Sequence, residues 1–180
     1  MKQMEFELNK YLGLWYELVH YPSFFERNDI YNVTAEYSIG SNNTVMVKNS
    51  AIRNGVLVES HGTAAKAHNG NNIRFSDGTM PLASLRVSFP QMETLKVEQA
   101  FGTIAPISSL PQDAPNYLVD KIWSDPEGNY IFAIVSDPLR QSLYVLSRLS
   151  NPPLAYYNTI MKYVSEHYDS SKLVQVPHYH

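Results

Sequence analysis

Cysteine is missing from all 180 residues. Its absence excludes disulfides, thiolate metal sites, thiol nucleophiles and acylation of a cysteine as a membrane anchor. Charge is scarce too. Only 17% of residues are charged, 14 basic against 17 acidic, for a net charge of −3. No basic patch or like-charge block stands out, so nucleic acid is not an expected partner. No run approaches the roughly 18 apolar residues of a membrane-spanning helix. The opening "MKQMEFELNKY" has no apolar core and does not read as a signal peptide, so the chain is expected to be cytoplasmic if this is its whole native form. Catalytic signatures are missing as well: no Gly-x-Ser-x-Gly, Walker loop, His-Glu-x-x-His or phosphate-cradling glycine loop occurs.

What is present is alternation. From residue 13 to 149 the dominant period is two. "LWYELVHY", "NVTAEYSI", "TVMVKNSAI", "VLVESHGTAAKA", "LASLRVSF", "NYLVDKIW", "YIFAIVS" and "SLYVLSRL" read as eight strands. Asn54-Gly55 marks a hairpin, and Gly62 a bulge or bend. Residues 91–115 hold three prolines without clean alternation and read as a long loop. The period then changes. "SNPPLAYYNTIMKYVSEHYD" predicts a helix over about 152–168, with Asn151 as N-cap and Pro152 at the first helical position. Its apolar stripe is Leu154, Tyr157, Ile160, Met161, Val164 and Tyr168. A short strand over about 171–177 follows. The length suits one domain over 1–180, with the strands filling about 11–149. The fold class is all-β: an eight-stranded antiparallel up-and-down barrel with one C-terminal helix outside, or a sandwich covered by that helix.

Several segments resemble the lipocalin family, and within it the bacterial lipocalin and apolipoprotein D branch. Gly13-x-Trp15 matches the family's first motif. "NVTAEYS", "VMVKNS" and "LRVSF" resemble its second, third and fifth strands. Asp125 and Tyr130 resemble the Thr-Asp-x-x-x-Tyr turn, with Ser124 in place of Thr. "LYVLSR" supplies the third-motif arginine, Arg148, and "YDSSKLVQVP" resembles the branch's ending. The resemblance covers residues 9–177. It implies a cup that carries a small hydrophobic molecule without chemistry on it, and suggests a secreted or envelope-side location. It also implies that Trp15 closes the floor, with Arg148 across its indole and Gly13 admitting a close backbone pass.

With Trp15 inward, alternation turns Glu17, Val19 and Tyr21 inward and Tyr16 and Leu18 outward. Matched to the family strand by strand, the inward set continues with Val33, Ala35 and Tyr37; Val45, Val47 and Asn49; Val58, Ser60, Gly62 and Ala64; Leu85, Val87 and Phe89; and Tyr144 and Leu146. Tyr117 and Val119, with Phe132 and Ile134, complete it. These positions either line a cavity for an acyl chain or a flat apolar molecule, or fill a core. Glu17 stands out, because a carboxylate in an apolar cup is costly unless paired. It holds a ligand's polar head, or it bonds to Asn49, a tyrosine or water.

Phe24 and Phe25 at the expected mouth suggest a lid, a membrane-surface contact or plain loop packing. An enzyme on the same barrel, of isomerase type, is the alternative to a carrier. Its acid or base would be Glu17 or a tyrosine, since no histidine falls on the inward list. A haem or pigment binder would need His61 and His68 inward, and alternation turns His61 out. The terminal "HYH" reads as a disordered tail rather than a metal site. Asn32-Val33-Thr34 and Asn42-Asn43-Thr44 fit the glycosylation pattern, which matters only in a secreted chain. No metal or other cofactor is expected. Oligomers are compatible with the sequence.

Overall fold

The structure is a computed structural model that describes residues 6–21, 30–41, 44–66, 81–88 and 116–179. Phe24, Phe25, His68, Phe89, His180 and the 91–115 segment lie outside the described residues.

A single helical turn, α1 (Leu8–Tyr11), leads into β1 (Gly13–His20). The strands β2 (Ile30–Ile39), β3 (Val45–Arg53), β4 (Val56–Lys66), β5 (Ala83–Ser88), β6 (Tyr117–Ser124), β7 (Tyr130–Ser136) and β8 (Leu143–Ser147) follow. Each pairs antiparallel with its chain neighbour, and β8 pairs with β1. Because β1 also pairs with β2, from Gly13↔Tyr37 to Tyr16↔Thr34, the sheet closes into a barrel. Closure removes the unpaired edge that an open sheet would leave. The β3–β4 turn needs left-handed backbone at both central residues, and Asn54 and Gly55 supply it with φ of 51° and 77°.

Helix α2 (Leu154–His167) packs on the outside, and β9 (Val174–Gln175) pairs with the second half of β1. The helix begins two residues later than its spacing predicts. Pro153 disfavours helical backbone at Pro152, and Pro153 itself takes an extended ψ of 143°. The N-cap position is therefore Pro153 and not Asn151.

Two apolar clusters divide at the barrel wall. The inner one gathers Trp15, Ala35, Tyr37, Val45, Val47, Ala64, Val87, Tyr117, Val119, Tyr144 and Leu146, among others. The outer one puts Leu18, Val19, Tyr21, Phe132, Ile134, Leu143 and Val145 against Ile160 and Val164 of α2. This partition corrects four positions expected to face the cup. Val19 and Tyr21 lie under the helix because β1 carries a bulge: Glu17 pairs with Leu146, but Val19 pairs with Val145. Phe132 and Ile134 also lie under the helix. The β6–β7 ladder shifts register between Val119 and Lys121, and again between Trp123 and Ser124. The inward residues of β7 are Ala133 and Val135.

Candidate functional site

The floor of the barrel joins Gly13 and Trp15, near the start of the chain, to Arg148 near its end. Trp15 is fully buried and donates its indole N–H to the Tyr11 carbonyl at 2.8 Å. The Arg148 guanidinium lies 3.8 Å from the indole centroid, at cation–π distance. Its donors reach the carbonyls of Lys10 (2.9 Å), Leu12 (2.8 Å), Leu14 (2.8 Å) and Tyr130 (3.3 Å). Burial lowers the Arg148 pKa from its usual value, and the four carbonyl contacts hold the charge in place. Gly13 has φ of +104°, and a Cβ there would stand 3.3 Å from Arg148 Nη1. A side chain at Gly13 would therefore strain the backbone and push on the guanidinium. These three residues form the base of the fold, not a ligand surface.

Above the floor lies a chain of tyrosine hydroxyls. Tyr117 bonds to Tyr11 on one side and, at 2.7 Å, to Tyr37 on the other. Burial pushes the Tyr11 and Tyr117 hydroxyls well above the usual phenol range, so both stay neutral and share protons only as hydrogen bonds. Tyr11 escapes a reading by alternation because it belongs to the helical turn before β1, where the period is not two.

The wall follows the expected pattern on most strands. Ala35, Tyr37, Val45, Val47, Ala64, Val87, Tyr117, Val119, Tyr144 and Leu146 pack inside, with Leu85 against them. Val33 joins Ile30, Ala51 and Val176 in a further cluster, with Val58 packed on it. Asn49 is buried and pairs across the ladder with Ser60, which is half-buried, while Gly62 is buried opposite Val47. Arg53 ends β3 opposite the buried Ile30, so it too sits on the inward side, half-buried.

Glu17 occupies the wall two residues above Trp15 and is 2% exposed. Its partner is His20, whose Nδ1–H donates to Glu17 Oε1. Strict alternation would turn His20 outward. The bulge at Leu18 turns it inward instead, opposite Tyr144, with the two rings edge-on at 6.4 Å. The available signal was local: two apolar residues, Leu18 and Val19, between polar Glu17 and His20. One extra residue in the strand puts both polar side chains on the inner face and both apolar ones under the helix.

The other histidines are elsewhere. The His61 side chain is 59% exposed, within 3.3 Å of Glu59. His178 donates from Nε2 to the Glu17 carbonyl at 2.6 Å and meets the Tyr16 ring edge-on. The chain end through Tyr179 is therefore placed, which corrects the expectation of a disordered tail. No group of three His, Cys, Asp or Glu among the described residues could hold a metal ion. A groove of ≈ 540 Å³ lies outside the barrel, between the start of α2 and the chain end, lined by Leu18, Pro152, Leu154, Tyr157, Val176 and His178 among others.

The Asp125 turn is held by its own carboxylate. The Asp125 carboxylate accepts from the Asn129 backbone N–H at 2.8 Å and from the Asn129 side chain at 3.1 Å, which holds its pKa below the ordinary value. The Tyr130 hydroxyl accepts from the Glu7 backbone N–H at 2.9 Å, tying the entering chain to the floor.

Comparison with known proteins agrees with this geometry. Residues 6–178 match the model of the lipocalin-like domain. The chain is 29% identical to temperature-induced lipocalin-1 of Arabidopsis thaliana, over 98% of this chain and 83% of that one. It is also 29% identical to the outer membrane lipoprotein Blc of Vibrio cholerae, over 96% of this chain and 82% of that one. Among solved structures, the cockroach allergen Per a 4 superposes with a TM-score of 0.60 at 15% identity, covering 99% of this chain and 94% of that one. With its barrel closed through β1 and its Gly13–Trp15–Arg148 floor, the chain belongs to the lipocalin family.

Proposed function

We propose that this lipocalin binds and carries a fatty acid, a lysophospholipid or a similar lipid inside its barrel, without chemistry on it. The observation that supports the reading is the composition of the inner wall. Valine, leucine, alanine and tyrosine side chains face inward from seven strands around a few polar groups. Each CH₂ buried there contributes about 0.8 kcal/mol, so an acyl chain binds through burial before any head contact counts. The small residues Ala35, Gly62 and Ala64 favour a cavity over a filled core. The Phe24–Phe25 loop is proposed to touch a membrane surface during loading. The start of β4 exposes Val56 and Leu57, two further apolar side chains for such a contact.

A second reading, a lipid isomerase on the same barrel, draws on the inward His20 held by Glu17, which is a suitable acid–base group. Native mass spectrometry of the purified protein separates the two. A co-purified lipid released unchanged on denaturation supports the carrier. A lipid that the protein converts while bound overturns it.

A further inference from the structure

We propose that Asn54 is a site of spontaneous covalent modification: it closes on Gly55 to a cyclic imide, which opens to aspartate or isoaspartate and puts a negative charge on the mouth of the barrel. The proposal is independent of what the barrel carries.

Three observations single out this asparagine. Among the described residues it is the only one followed by glycine. The β3–β4 ladder ends at Arg53↔Val56, so Asn54 and Gly55 stand beyond it, and both are exposed. A Cβ at Gly55 would meet no atom within 4 Å, so the turn has room to rearrange around a residue that is itself permissive. Lastly, the Asn54 carboxamide makes no hydrogen bond among the described residues. Asn32, Asn116 and Asn129 are held instead. Asn32 exchanges bonds with the Tyr179 backbone at 2.7 and 3.2 Å. Asn116 does the same with the Val87 backbone at 2.7 and 2.9 Å, and Asn129 donates to Asp125 at 3.1 Å.

The chemistry needs only neighbours and water. The Gly55 backbone nitrogen attacks the Asn54 side-chain carbonyl carbon, a reaction set by how freely the two groups approach. A new C–N bond forms, the bond to the side-chain nitrogen breaks, and ammonia leaves with the Gly55 proton. Water then opens the imide. Opening at one carbonyl leaves aspartate. Opening at the other leaves isoaspartate, whose main chain runs through the side-chain carbon. The position gives the change its effect. Tyr37 pairs with Gly13 at the floor and with Val47 on β3, and β3 then runs to Arg53 at the mouth. The new carboxylate therefore stands between Arg53 and the exposed Val56 and Leu57. The isoaspartate form also lengthens a turn whose two central residues both need left-handed backbone, which loosens the Arg53↔Val56 pair.

The test stores the full chain in mildly alkaline buffer and follows it by peptide mapping with mass spectrometry. Conversion reads as a gain of about one mass unit, and fragmentation separates aspartate from isoaspartate. Asn54 should convert at least about tenfold faster than Asn32, Asn116 or Asn129. Asn69-Gly70, outside the described residues, is read from its own peptide. The aspartate product should co-elute with Asn54→Asp on ion exchange, and Asn54→Gln should leave its peptide unmodified. An Asn54 peptide that stays intact, or that converts no faster than those of the three bonded asparagines, overturns the proposal. If Asn54→Gln does not fold, the wild-type comparison decides the matter.

Discussion

Asp120 shows how a single residue can be tied down and still disfavour its own charge. Ser136, Arg140 and Tyr168 all direct donors to its Oδ2, at 2.6, 2.9 and 2.7 Å. Oδ1 is buried without a hydrogen-bond partner among the described residues. Burial therefore outweighs the Arg140 charge and the three bonds, and the carboxyl sits above its ordinary value of 3.8. The folded chain thus holds this proton more tightly than the unfolded chain. Asp120 contributes most at acid pH, and that contribution is lost as pH rises from the unfolded value through the folded one. Asp120→Asn lacks this loss. Its stability relative to wild type should rise with pH from about 3.8 upward, as read by urea denaturation across pH. A constant difference would contradict the assignment.

At the scale of the element, helix α2 shows where a periodic pattern overstates burial. Leu154 and Ile160 share the apolar stripe, yet Leu154 is 72% exposed and Ile160 only 2%. The two prolines delay the helix, so its first turn overhangs the sheet and borders the outer groove instead. Ile160→Ala should cost about 2–4 kcal/mol in thermal or urea unfolding, because it opens a cavity under Val145 and Leu143. Leu154→Ala should stay within about 0.5 kcal/mol. Equal costs would place the helix differently on the barrel. Strand facing was legible wherever no residue was inserted. β2 through β5 turn Ala35, Tyr37, Val47 and Val87 inward as alternation requires. It failed on β1 and β7, where a bulge exchanges the two faces; on β1 the mark is the Leu18–Val19 pair between Glu17 and His20, which strict alternation reads through.

At the scale of the whole molecule, the last residues complete the β1–β2 seam that direct pairing leaves open. After Tyr16↔Thr34, β1 and β2 separate, and the chain end enters the gap. Val176 N–H donates to the Leu18 carbonyl and Asn32 N–H to the Pro177 carbonyl, both at 2.9 Å. Tyr179 N–H donates to Asn32 Oδ1 at 2.7 Å. Asn32 takes φ of 53° to meet this segment. Truncation after Leu173 should leave the seam unpaired. Amide exchange should accelerate at Asn32 and along the second half of β1, with a stability loss of about 2–4 kcal/mol. Protection of Asn32 unchanged by the truncation would show that the tail does not complete the seam.

Local chemistry settled much of this protein by itself. Alternation, the Asn54-Gly55 turn and the change of period after Asn151 determine strands, hairpin and helix, because each depends on residues within a few positions. Gly13, Trp15 and Arg148 mark the floor by the same kind of local signal, joined by resemblance. Tertiary structure decided which polar side chains enter the cup. Strand bulges, ladder register and the return of the chain end depend on pairing between segments far apart in sequence. That long-range pairing places His20 beside Glu17 inside the barrel and sends Val19 and Tyr21 beneath the helix.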